Sequence, residues 1–486
     1  MQIAKKLSIF GVVLSVSWFG VVLGQKISHQ AVLVAAENPV APQQQERYQN
    51  LELFQKVLHF VEMNYVDEVK NKDLVQGAIK GMLETLDPHS NFLPADVFKD
   101  MKIDTSGKFG GLGIEIGMKD SILTVIAPIE DTPAWKAGLR PNDRIVKINN
   151  ESTKGMTLVE AVSKMRGKKG TPVSLTIYRD GFEKIKDVSI VRDIIKIQSV
   201  KSEELEPQYG YVRLTNFNES AATDIKKAID KLEAKGKIHG LVLDLRANPG
   251  GLLDQAVEVT SLFIDDGVVV STIGRNRDQK EVKYARKGVA RKDFPLAVLV
   301  NTSSASAAEI VAGALQDHHR AIVLGAPTFG KGSVQTVIEL GQDMGLKLTI
   351  ARYYTPSGRS IQEKGVMPDI LLDDFDPKLL AEAKRKVEYP RERDLKGHMV
   401  NQDEAVTKEF KKEELENIGK KDNKKDKSDK SKDDDDMSPT RFNPKEDYQV
   451  KEALNHLKSF EVYKKFAAWE TNSGATTADR KAAAGQ

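Results

Sequence analysis

The chain has no cysteine, so disulfides, thiolate metal sites and thiol nucleophiles are excluded together. Histidine is sparse, eight in 486 residues, and no H-E-x-x-H or similar spacing occurs, so no metal site is expected. Charge of one sign is also lacking: the net charge is +3, too small for a broad basic surface, and nucleic acid is not expected as a partner. Long apolar runs are missing everywhere except near the start. There Lys5 and Lys6 precede the uncharged run Leu7–Leu23. A basic start followed by such a run is an export signal. At the short edge of the about 17–25 residues that span a bilayer, it can also stay as a membrane anchor. Residues 1–27 are assigned to this segment; "VLVAAENPVA" is a weak cleavage candidate. The rest of the chain is then expected outside the cytoplasm, in a bacterial periplasm, either soluble after cleavage or tethered to the inner membrane.

What is present suggests several domains, since 486 residues exceed one compact core. Ser28–Arg47 is polar, with Pro39, Pro42 and a glutamine run, and reads as a linker. Phe54, Val57, Leu58 and Val61, then Val75, Ile79, Met82 and Leu86, recur at helical spacing. A helical region over 48–101 follows, a cap on the next domain or a dimerisation arm. From Phe109 the pattern turns to short strands and glycine turns, with Asp180-Gly181 as a hairpin signal and Thr157–Met165 as a helix. From Tyr211, "YVRL", "GLVLDL", "LAVLV" and "AIVLG" are buried-strand runs. They alternate with helices at Ser220–Ala234, Asp254–Phe263 and Ala307–Gln316, which predicts an α/β fold with a largely parallel sheet. Residues 403–440 are a charged, apolar-poor linker, and 445–470 read as a final helix carrying Val450, Leu454, Leu457, Phe460 and Val462.

In the β-rich stretch, "FGGLGIEI" (Phe109–Ile116) lets successive backbone N–H groups converge on one point, as a carboxylate nest requires. An ordinary glycine turn before a strand gives the same pattern. "GLGIEI", "DTPAWKAGLRPNDRIVKINN" and the following helix and strand resemble a PDZ domain, here over 105–187. The resemblance implies a carboxylate loop at Gly111, Leu112, Gly113 and Ile114, and a groove that takes a peptide's free C-terminus. Arg166, ending the groove helix, either pairs with a carboxylate or is a solvated helix-end charge. Asn142 stands where such domains carry glycine, and asparagine tolerates positive φ.

The chemistry centres on Val300–Gln335. Ser306-Ala-Ala-Glu309 fits a capping box before an apolar helical face. A helix N-terminus also suits a nucleophile, with the Ala307 N–H as an oxyanion donor. "DLRANPGGLL" follows a buried strand; it is a turn, or it aims the Gly250 and Gly251 N–H groups at a substrate carbonyl. Gly325-x4-Gly330-Lys331 approaches a P-loop, but Gly332 replaces Ser/Thr and "SVQTVIEL" reads as a strand, not a helix, so nucleotide binding is rejected. Lys331 is an exposed lysine in a glycine loop, or a desolvated amine able to act as a base. His318 and His319 fall at the far end of the helix, about 18 Å along its axis, and read as end caps. His89 and His239 lie in turns without an accompanying acid pattern.

"SASAAE" with "AIVLGAPTFGKGSVQ", "LDPHSNFL", "DLRANPGG" and "YYTPSGRSIQEKGVMPDI" together resemble the carboxyl-terminal processing (tail-specific) proteases, from about Leu51 to Ile370. The resemblance implies a ClpP/crotonase-like α/β serine protease core over 188–375 with an inserted PDZ domain. It implies Ser306 as nucleophile, Lys331 as base and Gln335 positioning that lysine. Gly250 or Gly251 with Ala307 would form the oxyanion hole. No cofactor is implied. Partners would be proteins with free, unstructured C-termini; the helical ends suggest self-association, and an adaptor protein is compatible. Ala247 stands where asparagine is common and Ala308 where serine is common. The competing reading is a non-catalytic PDZ scaffold that binds tails.

Overall fold

The computed structural model of the chain describes residues 42–179, 184–276, 278, 280–373, 390–399 and 442–483. The N-terminal apolar run, the Asp180-Gly181 turn and the charged 403–440 stretch lie outside them. Among the described residues no helix is long and apolar enough to cross a membrane. Two compact units meet in sequence at Gly81 and Met82. The first holds α1 (Pro42–Asn64) and most of α2 (Asn71–Glu84). Helix α1 begins inside the stretch read as a linker. Its first residues explain the difference: proline suits the first helical turn, and Gln, Glu and Arg are good helix formers.

The second unit begins with β1 (Asn91–Leu93), α3 (Ala95–Ser106) and β2 (Lys108–Gly111). A small β domain follows: β3 (Ile114–Lys119), β4 (Ile122–Pro128), α4 (Pro133–Lys136), β5 (Arg144–Ile148), β6 (Glu151–Ser152), α5 (Leu158–Met165), β7 (Pro172–Tyr178) and β8 (Lys186–Val191). Its sheet has the order β3-β4-β5-β7-β8, with β6 paired to β5. Strand β3 is therefore an edge. Leu123, Val125, Ile145, Ile148, Leu175 and Ile177 fill the core against Ala161 and Met165 of α5. The reciprocal Thr157–Glu160 capping box starts α5, with the Thr157 N–H donating to Glu160 Oε2 at 2.8 Å. Asn142 takes φ +68°, the conformation for which asparagine was expected to suffice.

After β9 (Asp193–Lys196), paired to β2, the larger domain is layered. It contains β10 (Val200–Glu206), β11 (Tyr209–Leu214), α6 (Ala221–Glu233), β12 (Gly240–Asp244), α7 (Leu253–Ser261), β13 (Val268–Gly274), β14 (Lys280–Tyr284) and β15 (Leu296–Val300). Then come α8 (Ala307–Asp317), β16 (Ala321–Gly325), β17 (Ser333–Gly341), β18 (Met344–Tyr354), β19 (Ile370–Leu371) and α9 (Tyr448–Ala483). One sheet runs β10-β11-β12-β15-β16-β19, parallel except for β10. Strands β12 and β15 are buried along their whole length, which is why they read as unbroken apolar runs. Helices α6, α7 and α8 cover one face, and α9 covers the other through Val450, Ala453, Leu454 and Leu457. A second sheet, β1-β18-β13-β14 with β17 on β18, contributes Val269, Val270 and Tyr353 to the core shared with α8. Helix α8 is buried at every position from Ala307 to Leu315, with Glu309 the one charged residue in that stretch.

Candidate active site

Ser306 ends the loop after β15 and immediately precedes α8. Its backbone lies at φ +56°, ψ −115°, a conformation that L-residues rarely adopt. Glu309, one turn into α8 and fully buried, holds it there. Glu309 Oε2 accepts from the Ser306 N–H at 2.7 Å and from the Lys331 N–H at 3.0 Å. Oε1 accepts from the Gly330 N–H at 2.8 Å and from Thr328 Oγ1 at 2.5 Å. One carboxylate thus ties the serine loop to the lysine loop. Burial pushes the Glu309 carboxyl up to about 7, against these four hydrogen bonds, which pull it down.

Lys331 is partly buried, and its side chain lines the same cavity of about 830 Å³ as Ser306, Ala307, Gly251, Gln335, Lys347 and Tyr353. Burial brings the Lys331 amine down to about 8; the like charge of Lys347 acts in the same direction, and Glu392, Glu309 and Asp87 oppose it. Tyr353, buried on β18, donates its hydroxyl to the Lys331 carbonyl and also lies within hydrogen-bonding reach of the Ser306 side chain. Burial holds its phenol well above the ordinary tyrosine value.

The loop after β12 closes the site from the other side. Gly250 takes φ +103°, and any Cβ there would stand 2.7 Å from Ser306 Cβ, so only glycine allows this approach. The Gly250 N–H is committed to Asn248 Oδ1 at 2.8 Å. Gly251 lines the cavity, and Ala307 opens α8 with an N–H that has no intrahelical acceptor. Of the glycine pair, only Gly250 has its N–H hydrogen-bonded among the described residues.

Residues 208–372 match the model of peptidase family S41, residues 124–179 that of a PDZ domain, and residues 15–97 that of the activating protease CtpB N-terminal domain. A carboxy-terminal-processing protease of Bartonella bacilliformis is 47% identical over 346 residues, 71% of this chain and 80% of that protein. The carboxy-terminal processing protease CtpA of Bacillus subtilis is 40% identical over 316 residues, 65% of this chain and 67% of its own. The chain belongs to the S41 carboxy-terminal processing proteases. It is a mixed α/β serine protease with a PDZ domain, as the sequence motifs implied. Among solved structures, the photosystem II D1 C-terminal processing protease is 31% identical, with a TM-score of 0.38, over 66% of this chain and 92% of that one.

In this S41 protease the other expected residues are placed as follows. Gln335 lines the cavity, and its amide donates to Ser333 Oγ at 2.9 Å and Thr349 Oγ1 at 3.2 Å; no hydrogen bond to Lys331 forms among the described residues. No described histidine lines the cavity. His318 Nε2 bonds the Val268 carbonyl at 2.7 Å, and His89 pairs with the buried Glu392 at 2.7 Å. In the PDZ domain, Gly111 ends β2, Leu112 is buried, Gly113 takes φ +77° against Thr132, and Ile114 opens the β3 edge. Arg166 ends α5, pairs with Asp100 of α3 at 2.8 Å and stacks over Phe109 at 4.9 Å, while remaining partly exposed.

Several site residues escaped the sequence reading. Glu309 was legible only as a helix cap. Tyr353 lies within "YYTPSGRS", but nothing local marks its role. Glu392 lies in a strap, 390–399, beyond the matched S41 residues. The strap's Glu392 N–H donates to the Phe329 carbonyl at 3.2 Å, and Gln362, which accepts from the Gly332 N–H at 2.9 Å, donates to Glu392 at 3.1 Å.

Proposed function

We propose that Ser306 attacks the scissile carbonyl while the neutral Lys331 amine takes its proton, and that Gly251 and Ala307 N–H groups hold the tetrahedral oxyanion. The resulting acyl-enzyme is released by water, with Lys331 again the base. The observation that carries this reading is the Glu309 carboxylate oxygen shared by the Ser306 and Lys331 N–H groups, at 2.7 and 3.0 Å, beside a lysine whose amine is brought down to about 8. Gln335 orients the lysine from β17; no described residue donates to its Oε1, which leaves that oxygen for the ammonium or amine. Residues 105–187 serve as the tail-binding domain, with Gly111, Leu112, Gly113 and Ile114 receiving a free carboxylate and β3 receiving the peptide as an added strand. Residues 188–375 form the protease core. The substrates are exported proteins with unstructured C-termini, met in the periplasm after the chain is secreted or tethered by residues 1–27. Homo-oligomers and an adaptor fit this role.

Incubation of the purified chain with an unfolded protein bearing an apolar C-terminal tail tests the assignment. Cleavage is expected, and Ser306→Ala and Lys331→Ala each abolish it while tail binding persists. Full activity in Lys331→Ala would remove the lysine from the mechanism and return a histidine to consideration.

A further inference from the structure

The Gln335 amide has a donor end and an acceptor end, and only the acceptor end can receive a hydrogen bond from a lysine. Which end faces the cavity therefore decides what Gln335 can do. Its Nε2 donates to Ser333 Oγ at 2.9 Å and to Thr349 Oγ1 at 3.2 Å, which uses both amide protons. Thr349 stands directly opposite Gln335 in the antiparallel pairing of β17 with β18, so the two side chains form a cross-strand pair.

A threonine hydroxyl can also donate, and a donating Thr349 would favour the reversed amide. Its single proton is spent elsewhere: Thr349 Oγ1 donates to Asp87 Oδ1 at 3.2 Å. Asp87 is buried in the loop before β1, within "LDPHSNFL". It also accepts from the His89 and Ser90 N–H groups at 2.8 and 2.9 Å and from Ser90 Oγ at 2.8 Å. A carboxylate accepts and has no proton to return. Ser90 Oγ, its own proton given to Asp87, accepts from the Thr349 N–H at 3.1 Å. One turn thus fixes Thr349 at both its N–H and its hydroxyl, and leaves only lone pairs toward Gln335. Reversing the amide would set Oε1 against those lone pairs.

We propose that Thr349, its hydroxyl directed by Asp87, is a positioning residue that holds the Gln335 amide with its oxygen toward the cavity that Lys331 lines. Thr349 touches no reacting atom and acts through Gln335. The inference rests on Gln335 orienting Lys331. The same hydrogen bonds also tie the loop before β1 to β18, which β1 joins as a strand from Asn91 opposite Lys347. A purely structural tie would act on the fold whether or not Gln335 is present.

A double-mutant cycle in kcat, measured on the full chain with an unfolded tailed substrate, separates the two roles. Gln335→Ala is expected to lower kcat about tenfold or more. Thr349→Val, which keeps the shape and removes the hydroxyl, lowers kcat about tenfold with KM unchanged, and Thr349→Ser, which keeps the hydroxyl, restores it. In the Gln335→Ala background, Thr349→Val costs nothing further. Thr349→Ala takes the place of Thr349→Val should the latter not fold. Wild-type kcat in Thr349→Val beside an impaired Gln335→Ala overturns the proposal and leaves the Gln335 reading intact. A Thr349→Val loss that recurs in full on Gln335→Ala does the same. Wild-type kcat in Gln335→Ala overturns both.

Discussion

At the scale of single residues, the Glu309 carboxylate decides the geometry. Ser306 is held at φ +56°, and the force that holds it is a buried acceptor shared with the lysine loop. Glu309→Gln replaces one acceptor oxygen with a donor that faces N–H or O–H groups, leaving polar groups unpaired. The expected result is a fall in kcat of about 100-fold or more with tail binding retained, read by steady-state kinetics beside a tail-peptide binding assay. Lys331 carries a stability consequence of opposite sign. Its folded value near 8 lies below the 10.5 of an unperturbed lysine, so the folded state resists the charged form. That cost is fully present below pH 8 and disappears as pH rises toward 10.5. Lys331→Met should therefore stabilise the chain at pH 7, by about 2 kcal/mol, and the gain should vanish by about pH 10 in denaturant melts. Ser306 and Lys331 were legible because each sits in a short motif whose local chemistry is unusual. Lys347 and Tyr353 were not: they stand at ordinary strand positions, and only the pairing of β17 with β18 brings them to the site.

At the scale of elements, the buried strands were the clearest signal, since runs such as Leu296–Val300 have no solvent-facing side and show no alternation. Helix α1 was misjudged at its start because proline and glutamine suit both linkers and first helical turns. Helix α9 runs from Tyr448 to Ala483, beyond the expected limit at 470, because its C-terminal part lacks the apolar periodicity that marked its beginning. The beginning is anchored by chemistry as well as packing. Arg246, beside the glycine loop after β12, is held by Asp244 and reaches Asp447 at 3.0 Å and Gln449 at 2.8 Å. Helix α9 thus braces the strand end that presents Gly251. Leu454→Ala, in the cluster with Val242, Leu299 and Leu324, should cost about 2–4 kcal/mol in denaturant unfolding. Because the site lies on the opposite side of the sheet, kcat in the folded fraction should change little.

At the scale of the whole molecule, the site is a convergence of distant segments. The loop before β1, the glycine loop after β12, the α8 N-terminus, the loop before β17 and the 390–399 strap all meet around one amine. His89 and Glu392, 303 residues apart in sequence, touch behind it. No local pattern foretells such a contact, whereas order and spacing of motifs sufficed for the fold and the reaction. The central claim is that this assembly lets Lys331 give up its proton near pH 8, well below an ordinary lysine. A titration of the Lys331 Nζ by nitrogen-15 NMR in the Ser306→Ala chain, assigned by loss of the signal in Lys331→Met, measures that directly. The account predicts a midpoint near pH 8; a midpoint at or above 10.5 would contradict it.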